Sequence, residues 1–253
     1  MSKLTELEKQ QLKFDWRYKG VSVLNLLTEK EVDKYSAELE RIRRERQENN
    51  EKGEWGEYDP YQYPHKESDI LKELLVHPKI IEATELLLGG EIVGLQTWAY
   101  FKPPGQLGRD QHQNIFYTEC ESNEVLNVSI AFDNHDPQNG SVWYYEGSHN
   151  LGVLPIEVDD ERTRTNPKNW RNERGKPIFI PGTYINGEWV DKYPKEYLPC
   201  KPGSVTLIHS HVLHGSEENN TTDMWRMSFL AGYIAKGTYV LEGHDMNRQP
   251  IDV

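Results

Sequence analysis

The chain has 253 residues, with 29 Lys and Arg against 41 Asp and Glu, so its net charge at neutral pH is −12. A charge of this sign repels phosphate backbones and anionic lipid surfaces, and it disfavours nucleic acid and membranes as partners. The length is typical of one β-rich domain with added helices, and we therefore expect a single domain over residues 1–253.

The cysteines and the first residues of the chain are used to predict the cellular compartment of the protein. The two cysteines, Cys120 and Cys200, form no CxxC or zinc-binding pattern. The first residues lack the apolar core of a signal peptide, and no apolar run approaches the ~20 residues of a membrane-spanning helix. We expect a reduced, cytoplasmic protein, and the sequence predicts no oligomeric state.

Helical patterns occupy the N-terminal third of the chain. Residues 28–49 begin with Thr28 as a plausible N-cap and Glu31 three residues later, which is the spacing of a capping box. A second helical zone covers residues 68–90, and Pro78 divides it into two. Both zones are predicted to be helices that flank a core formed by the rest of the chain.

From Glu91 onward, the pattern changes to short β-branched and aromatic runs that end at Pro, Gly or Asn. Such runs, following a helical part at residues 1–90, indicate a β-sandwich or jelly roll at residues 91–253 with helices flanking it. The strand candidates, in chain order, are IVGLQTWAYFKPPG, DQHQNIFY, EVLNVSIAFD, SVWYYE, SVTLIHSHVLH and WRMSFLAGYI.

Residues 155–199 interrupt the strands with a long, polar and irregular insert that carries several arginines and tryptophans. A compact domain seldom keeps so long a loop without a use, so a lid or a substrate-gripping segment is one interpretation. Surface decoration is the alternative, and the sequence supports both equally.

The stretch DQHQNIFY contains a histidine and an asparagine two positions apart. On a β-strand, residues i and i+2 leave the same face, so His112 and Asn114 would point towards one place. Two converging side chains of this kind suggest a metal site, although a facial triad for iron(II) normally has a carboxylate at the position of Asn114.

A second histidine cluster lies in LIHSHVLHGS. His209 and His211 share one strand face, while His214 has the opposite parity unless the strand ends or bulges near Val212. Strand alternation alone therefore cannot point all three histidine side chains at one metal ion. A facial triad needs one distant histidine from a neighbouring strand, and any of these three residues can instead be a packing residue.

Four motifs in one order resemble the phytanoyl-CoA dioxygenase family of iron(II)- and 2-oxoglutarate-dependent oxygenases. The resemblance covers most of the chain and implies a double-stranded β-helix, a cupin-like jelly roll, with iron(II), 2-oxoglutarate and O2 as cofactors. It also implies hydroxylation of a small-molecule metabolite. The motifs are FKPPG, HQNIFY (similar to the family's HQDNFY), IAFDNHDPQNGSVWYYEGSH and KPGSVTLIHSHVLHGSEENNTTDMWRMSF.

The resemblance also assigns roles to residues. His112, Asn114 and His214 fall on the three metal-ligand positions. Arg226 falls on the arginine that grips the far carboxylate of 2-oxoglutarate, a group that a planar guanidinium can bind bidentately, and Ser216 on the serine that assists it. Further cosubstrate-binding candidates, from strand parity and the resemblance together, are Gln96, Trp98, Asn127 and Ser129. The candidates for the floor of the substrate pocket are Tyr117, Trp143 and Tyr145.

Asn114 departs from the family pattern and leaves the activity open. An amide oxygen can coordinate a metal, but a neutral ligand attracts it less than a carboxylate does. An oxygenase with a weakened site is our first reading. The alternatives are a catalytically silent or halogenase-like relative that binds a small metabolite in the same pocket, and a site in which Asp110 supplies the carboxylate.

Overall fold

The computed structural model describes residues 3–49, 60–106, 108–116, 125–155, 157–158, 183–185, 192–239 and 250–253. The predicted pocket residue Tyr117 lies outside these ranges, as does most of the predicted insert at 155–199. The division of the chain into parts at residue 90, and the single domain, stay predictions.

Four helices form from the N-terminal part: α1 (Glu6–Tyr18), α2 (Glu29–Glu48), α3 (Asp69–Leu75) and α4 (Pro78–Leu88). The predicted capping box begins α2, where the Thr28 hydroxyl accepts a hydrogen bond from the backbone N–H of Glu31 and the Glu31 carboxylate accepts one from the N–H of Thr28. Pro78 separates α3 from α4 as predicted. The helix α1 is an addition that the sequence patterns did not indicate.

The strands form two main antiparallel sheets. Their bounds are β1 (Val21–Asn25), β2 (Tyr61–Gln62), β3 (Ile92–Lys102), β4 (Arg109–His112), β5 (Val125–Ala131), β6 (Val142–Tyr145), β7 (Glu157–Val158), β8 (Thr183–Tyr184), β9 (Lys195–Tyr197), β10 (Ser204–His209), β11 (His214–Ser216) and β12 (Arg226–Ala235). The major sheet has the order β1-β10-β5-β12-β3-β2, the minor sheet has the order β4-β11-β6-β9, and β7 pairs with β8.

One face of the major sheet buries the apolar stripes of the helices. Phe101 of β3, Ile130 of β5 and Phe229 of β12 pack in one cluster with Leu39 of α2 and Leu71 of α3. Because side chains alternate along a strand, the neighbours of these residues point to the opposite face, towards the minor sheet. The helices therefore leave the space between the two sheets to the polar residues of β3, β5 and β12.

The two facing sheets confirm the predicted class, a mainly β jelly roll with flanking helices. The N-terminal part also contributes strands, since β1 pairs with β10 at one edge of the major sheet and β2 pairs with β3 at the other. Within the described ranges, every helix is too short or too polar to cross a lipid bilayer.

Two strand predictions need correction. The run DQHQNIFY is not one strand: β4 ends at His112, and Asn114–Phe116 forms a 3-10 turn. The argument that strand alternation aims His112 and Asn114 at one point is therefore wrong for this stretch. The run SVTLIHSHVLH is two strands, because β10 ends at His209 and β11 begins at His214.

The capping box of α2 gives the first testable expectation. Replacing Thr28 by alanine removes the side-chain acceptor for the N–H of Glu31, and we expect a loss of about 1 kcal/mol in the free energy of unfolding, measured by urea denaturation. Thr28→Ser is the matched control, since its hydroxyl keeps the acceptor. Equal stabilities for the alanine and serine variants would show that the box contributes nothing.

Candidate metal centre and cosubstrate site

Two histidines stand opposite one another on neighbouring strands of the minor sheet. β4 and β11 are antiparallel, and His112 pairs directly with His214 in their register. The ring centroids are 4.3 Å apart and the ring planes are tilted by 47°. The sequence separates these residues by about a hundred positions, and the strand pairing brings them together.

Both imidazoles are held in the same way by backbone carbonyls. The Nδ1 of His112 donates to the carbonyl of Asp110 at 2.9 Å, and the Nδ1 of His214 donates to the carbonyl of Val212 at 2.9 Å. A neutral imidazole with its proton on Nδ1 carries its lone pair on Nε2. Carbonyl partners of this kind fix the tautomer and the ring orientation of metal-binding histidines.

Burial keeps both rings neutral near pH 7. His112 is 6% exposed and His214 is 7% exposed. The pKa of His214 is lowered to about 4 and that of His112 well below its ordinary value, mainly by burial and with a smaller contribution from the charge of Arg109. A histidine nitrogen must be unprotonated to ligate a metal. Both rings can therefore bind a metal ion without first losing a proton.

The third ligand position is less defined. Asn114 opens the 3-10 turn that follows β4 and is half-buried, and the N–H of Ile115 donates to the carbonyl of Ser210 at 3.0 Å. Within the described ranges, no three His, Cys, Asp or Glu side chains converge as metal ligands, so Asp110 does not complete a triad with the two histidines. The two neutral imidazoles fit a metal, and the assignment of Asn114 as the third ligand stays a prediction.

The inner face of the major sheet carries rows of polar side chains. One row joins Gln96 of β3 and Asn127 of β5 across Gly232 of β12. A Cβ at Gly232 would lie 3.0 Å from Cγ of Gln96 and 3.5 Å from Oδ1 of Asn127, so both amides lean over the glycine. The Nδ2 of Asn127 is buried and has no hydrogen-bond partner among the described residues. A buried donor in this state is ready for a ligand.

Trp98 and Ser129 occupy the next row along the same face, where each pairs with Leu230 of β12. The ring of Trp98 stacks on that of Tyr100 with centroids 6.3 Å apart. The structure therefore places all four predicted cosubstrate residues of β3 and β5 on the face that looks towards the minor sheet. Their contact with 2-oxoglutarate stays a prediction.

Arg226 begins β12 on this face and is 7% exposed. Burial lowers the pKa of its guanidinium, while the nearby charge of Asp133 raises it. No carboxylate of the described residues forms an ion pair with Arg226, and its Nε has no hydrogen-bond partner there. A buried charge without a full set of hydrogen-bond partners costs free energy. An anionic ligand bound to the guanidinium would offset that cost.

Ser216 connects the two sheets at the same end. Its hydroxyl lies 3.4 Å from the Nζ of Lys102 and accepts a hydrogen bond from the N–H of Arg109 at 3.1 Å. Lys102 is directly opposite Arg226 in the register of β3 and β12. The predicted serine and arginine therefore lie beside a buried lysine that the sequence did not single out.

Sequence reasoning also missed Arg109. The register of β4 and β11 shifts between His214 and Ser216, so that Arg109 pairs with Ser216. The charge of Arg109 acts on His112, His214 and Tyr100, which places it close to the cavity. A β-bulge changes which face a residue occupies, and no local signal in the sequence marks this one.

Two of the predicted substrate-pocket residues, Trp143 and Tyr145, lie on the other face of the minor sheet from the histidines, and their contact with a substrate stays a prediction. Trp143 pairs with Gly215, while the alternate residue Tyr144 pairs with His214, so Trp143 and Tyr145 project from the face of the minor sheet that points away from the histidines. On that face Lys195 lies over the ring of Trp143, with Nζ 4.3 Å from its centroid.

His209 and His211 form a cluster of their own. The ring of His209 lies 4.9 Å from Trp16, 5.3 Å from His149 and 5.2 Å from His211, measured between centroids. Burial first, and then the charges of His149 and His211, lower the pKa of His209 to about 4. The placement supports the interpretation that His209 and His211 are packing residues.

The chain is similar to known proteins over most of its length. A family profile described as phytanoyl-CoA dioxygenase (PhyH) matches residues 19–228. The chain is 27% identical over 183 residues to a probable alpha-ketoglutarate-dependent hypophosphite dioxygenase of Stutzerimonas stutzeri, covering 71% of this chain and 58% of that protein. It is 28% identical over 194 residues to phytanoyl-CoA dioxygenase domain-containing protein 1 of Mus musculus, covering 74% of this chain and 60% of that protein.

The fold also matches solved structures. A structure of the non-heme alpha ketoglutarate dependent epimerase SnoN from nogalamycin biosynthesis aligns with a TM-score of 0.74 at 19% identity, covering 95% of this chain and 89% of that chain. At this identity the likeness shows the fold alone. The chain spans about three fifths of the length of the two curated relatives.

The histidine cluster predicts how stability depends on pH. His209 has a pKa of about 4 in the folded protein, against about 6.5 in an unfolded chain, so the unfolded state binds the proton first as the pH falls. Stability from this group is complete above pH 6.5 and is lost as the pH falls from 6.5 towards 4. His209→Asn removes the group and retains a hydrogen-bond acceptor.

We expect the unfolding free energy of the His209→Asn variant to fall less steeply over this window, by up to about 1.4 kcal/mol per pH unit. Urea denaturation at pH 6.5, 5.5 and 4.5 measures the two slopes. Burial also lowers the pKa of His65 to about 4. Because His65 titrates in both proteins, it serves as the internal reference for the pH dependence of stability. Parallel slopes would show that His209 is not held neutral.

Proposed function

The chain belongs to the phytanoyl-CoA dioxygenase family, and from that premise we propose that it is an iron(II)- and 2-oxoglutarate-dependent oxygenase that hydroxylates a small molecule. The predicted cofactors are iron, 2-oxoglutarate and O2; the curated relative is named as a probable alpha-ketoglutarate-dependent dioxygenase, and a solved structure of SnoN contains iron and alpha ketoglutarate. Because the chain spans only part of the length of its relatives, the activity and the substrate of the whole protein are proposals.

One observation carries the proposal. The paired imidazoles of His112 and His214 and the buried guanidinium of Arg226 belong to facing sheets of one barrel, and Ser216 of the histidine strand joins the two sheets through Lys102. Neutral nitrogen ligands suit iron(II), and a buried guanidinium suits a carboxylate. These are the two ends of a site for a metal with a chelating dicarboxylate.

The roles of the residues follow from their chemistry. His112, His214 and Asn114 would hold the metal, and Arg226 and Ser216 would bind the far carboxylate of 2-oxoglutarate. Iron(II) and 2-oxoglutarate, when bound, would supply the electrons that activate O2 for attack on a C–H bond. The protein would orient the cosubstrate through Arg226, and the burial of His112, His214 and Arg226 limits the access of water to the site.

A small polar or anionic substrate fits the surroundings best. The curated bacterial relative is named for hypophosphite, a small anion. In this chain Arg109 lies near both histidines and supplies a positive charge on the metal side of the cavity. Trp143 and Tyr145 lie away from this space, and Tyr117 stays a predicted contact.

Asn114 supports a second candidate function, a catalytically silent or halogenase-like relative that binds a small metabolite in the same cavity. The halogenase reading is the weaker of the two, because an asparagine fills the space that a halide would need. Succinate formed in step with O2 consumption, by protein loaded with iron(II) and 2-oxoglutarate, would support an oxygenase. Cosubstrate binding without any succinate would support the silent relative.

Arg226→Ala tests the cosubstrate site. Losing a charge-assisted bidentate contact should weaken 2-oxoglutarate binding by a few kcal/mol, roughly a hundredfold, while the fold survives because no described ion pair depends on Arg226. Calorimetric titration of 2-oxoglutarate under argon measures the affinity. Arg44→Ala is the matched control, since it removes an exposed arginine of α2. Unchanged affinity in Arg226→Ala would exclude the assigned role.

Asn114→Asp tests the metal site. The change adds a negative charge at nearly constant volume, so iron(II) affinity should rise about tenfold or more if residue 114 is a ligand. Anaerobic iron(II) titration, read by the metal-to-2-oxoglutarate absorption band, measures this, and 2-oxoglutarate turnover should increase with it.

Three further variants make the test specific. His112→Ala and His214→Ala should abolish iron binding, because each removes one of the paired imidazoles. Asn220→Asp adds the same charge at an exposed position and should change nothing. The proposed metal centre would be contradicted if Asn114→Asp bound iron(II) with the wild-type affinity and a histidine variant still bound iron(II).

A further inference from the structure

A buried glutamine between the predicted metal positions 112 and 114 has no role in the site so far. Gln113 is 1% exposed. Its Nε2 donates to the carbonyls of Gly152 and His211, each at 2.7 Å, and its Oε1 accepts a hydrogen bond from the N–H of Leu154 at 2.8 Å. A side-chain amide carries two N–H donors and one carbonyl acceptor, so every polar group of Gln113 is used. The side chain thus joins the turn after β4 to two other segments of backbone.

The first of these segments is the connection between β10 and β11. The side chain of Gln113 binds the carbonyl of His211, and the N–H of Ile115 donates to the carbonyl of the preceding residue, Ser210, at 3.0 Å. The two bonds come from the residues on either side of Asn114, and they end on adjacent carbonyls. Because β4 ends before Asn114, strand pairing does not extend to it. The two bonds therefore hold this turn against the connection that leads into β11.

The second segment is the start of the predicted insert at residues 155–199. Gln113 binds the N–H of Leu154 and the carbonyl two residues before it. Leu154 in turn packs with Ile185 and Leu213 in one apolar cluster, and Leu213 directly precedes β11. The turn after β4, the start of the insert and the histidine strand β11 are therefore connected through one side chain.

The three partners of Gln113 require a neutral amide. Two of them are carbonyl acceptors and the third is an N–H donor. A carboxylate of the same shape could accept from the N–H, but it would place an oxygen against the two carbonyls. An apolar side chain would leave three backbone groups without these partners, and unpaired buried polar groups destabilise a fold.

We infer that Gln113 is a positioning residue of the metal centre: its amide holds residue 114 at the metal, and metal binding in turn stabilises the bonds of Gln113 to the start of the insert. The inference rests on the proposed role of Asn114 as a ligand. Gln113 acts through the turn and contacts neither the metal nor a substrate. Because such a coupling is reciprocal, it can be measured from the metal site and from the insert.

A double-mutant cycle between residues 113 and 114, read by iron(II) affinity under argon, measures the coupling at the metal site. With Gln113 present, Asn114→Asp should raise the affinity about tenfold or more. In Gln113→Met the side chain keeps its length but makes none of the three bonds. There the same substitution should raise the affinity about twofold at most, because residues that act through one another give non-additive changes.

Asn139→Leu is the matched control for the loss of a buried amide. Asn139 is 2% exposed, and its side chain bonds to the carbonyl of Asn134 and to the N–H of Asp136. The control should lower stability to urea and leave the gain from Asn114→Asp unchanged. An equal gain with and without Gln113 would show that Gln113 only supports the fold.

The failure of the proposed function has a different signature. If Asn114→Asp gives no gain in either background while iron(II) still binds, residue 114 is not a ligand. A wild type that binds no iron(II) would overturn the proposed metal centre itself. Either result would also overturn the inference on Gln113.

Hydrogen exchange of the wild type measures the coupling at the insert and decides the question if Gln113→Met does not fold. The N–H of Leu154 is bonded to Gln113, so its exchange rate, measured by NMR, reports on that bond. Zinc(II), a diamagnetic ion that imidazoles bind, is the probe. At about ten times its dissociation constant it should slow this exchange about tenfold.

The N–H of Glu31, bonded to Thr28 in the capping box of α2, is the control amide and should exchange at the same rate with and without zinc(II). Zinc(II) that binds without slowing the exchange of the Leu154 N–H would contradict the coupling and overturn the inference.

Discussion

The antiparallel pairing of β4 with β11 is the constraint on which the site depends. It sets His112 directly opposite His214, and the carbonyls of Asp110 and Val212 then fix each ring by its Nδ1. The same pairing contains the bulge that brings Arg109 opposite Ser216. The rest of the barrel supports this arrangement, since the helices cover one face of the major sheet and leave the other face to the cavity. A slip of β4 by one residue against β11 would turn His112 to the outside of the barrel, while the pairing of β11 with β6 keeps His214 inside.

The sequence predicts the elements well where the signal is local. The capping box of Thr28, the break at Pro78 and the strand runs of β3, β5, β6 and β12 are properties of neighbouring residues, and the structure confirms them. The order of the four motifs likewise identifies the family. Strand alternation also places Gln96, Trp98, Asn127 and Ser129 on one face of the major sheet, because β3 and β5 are long and regular over these positions.

The failures have a common physical reason. Whether β4 continues past His112, whether Arg109 turns inwards and whether Lys102 is buried all depend on strands distant in sequence that pair or pack there. The same holds for Trp143 and Tyr145, whose aromatic character fits either face of β6, and only the pairing of Tyr144 with His214 decides which. The residue types of a site can thus be predicted from motifs, but the side of a sheet on which they meet depends on tertiary pairing.

The cations at the end of the barrel have a consequence for the kinetics of cosubstrate entry. The protein as a whole carries a net charge of −12, whereas Arg226 and Lys102 face each other inside the barrel and the charge of Arg109 acts on the two histidines. A dianion in solution is therefore repelled at long range and attracted only after it enters the barrel. Added salt screens the long-range repulsion between exposed charges more strongly than the contacts in the buried cavity. Salt should thus speed the association of 2-oxoglutarate while it changes the dissociation rate little, the reverse of the behaviour of an enzyme whose surface attracts its anion.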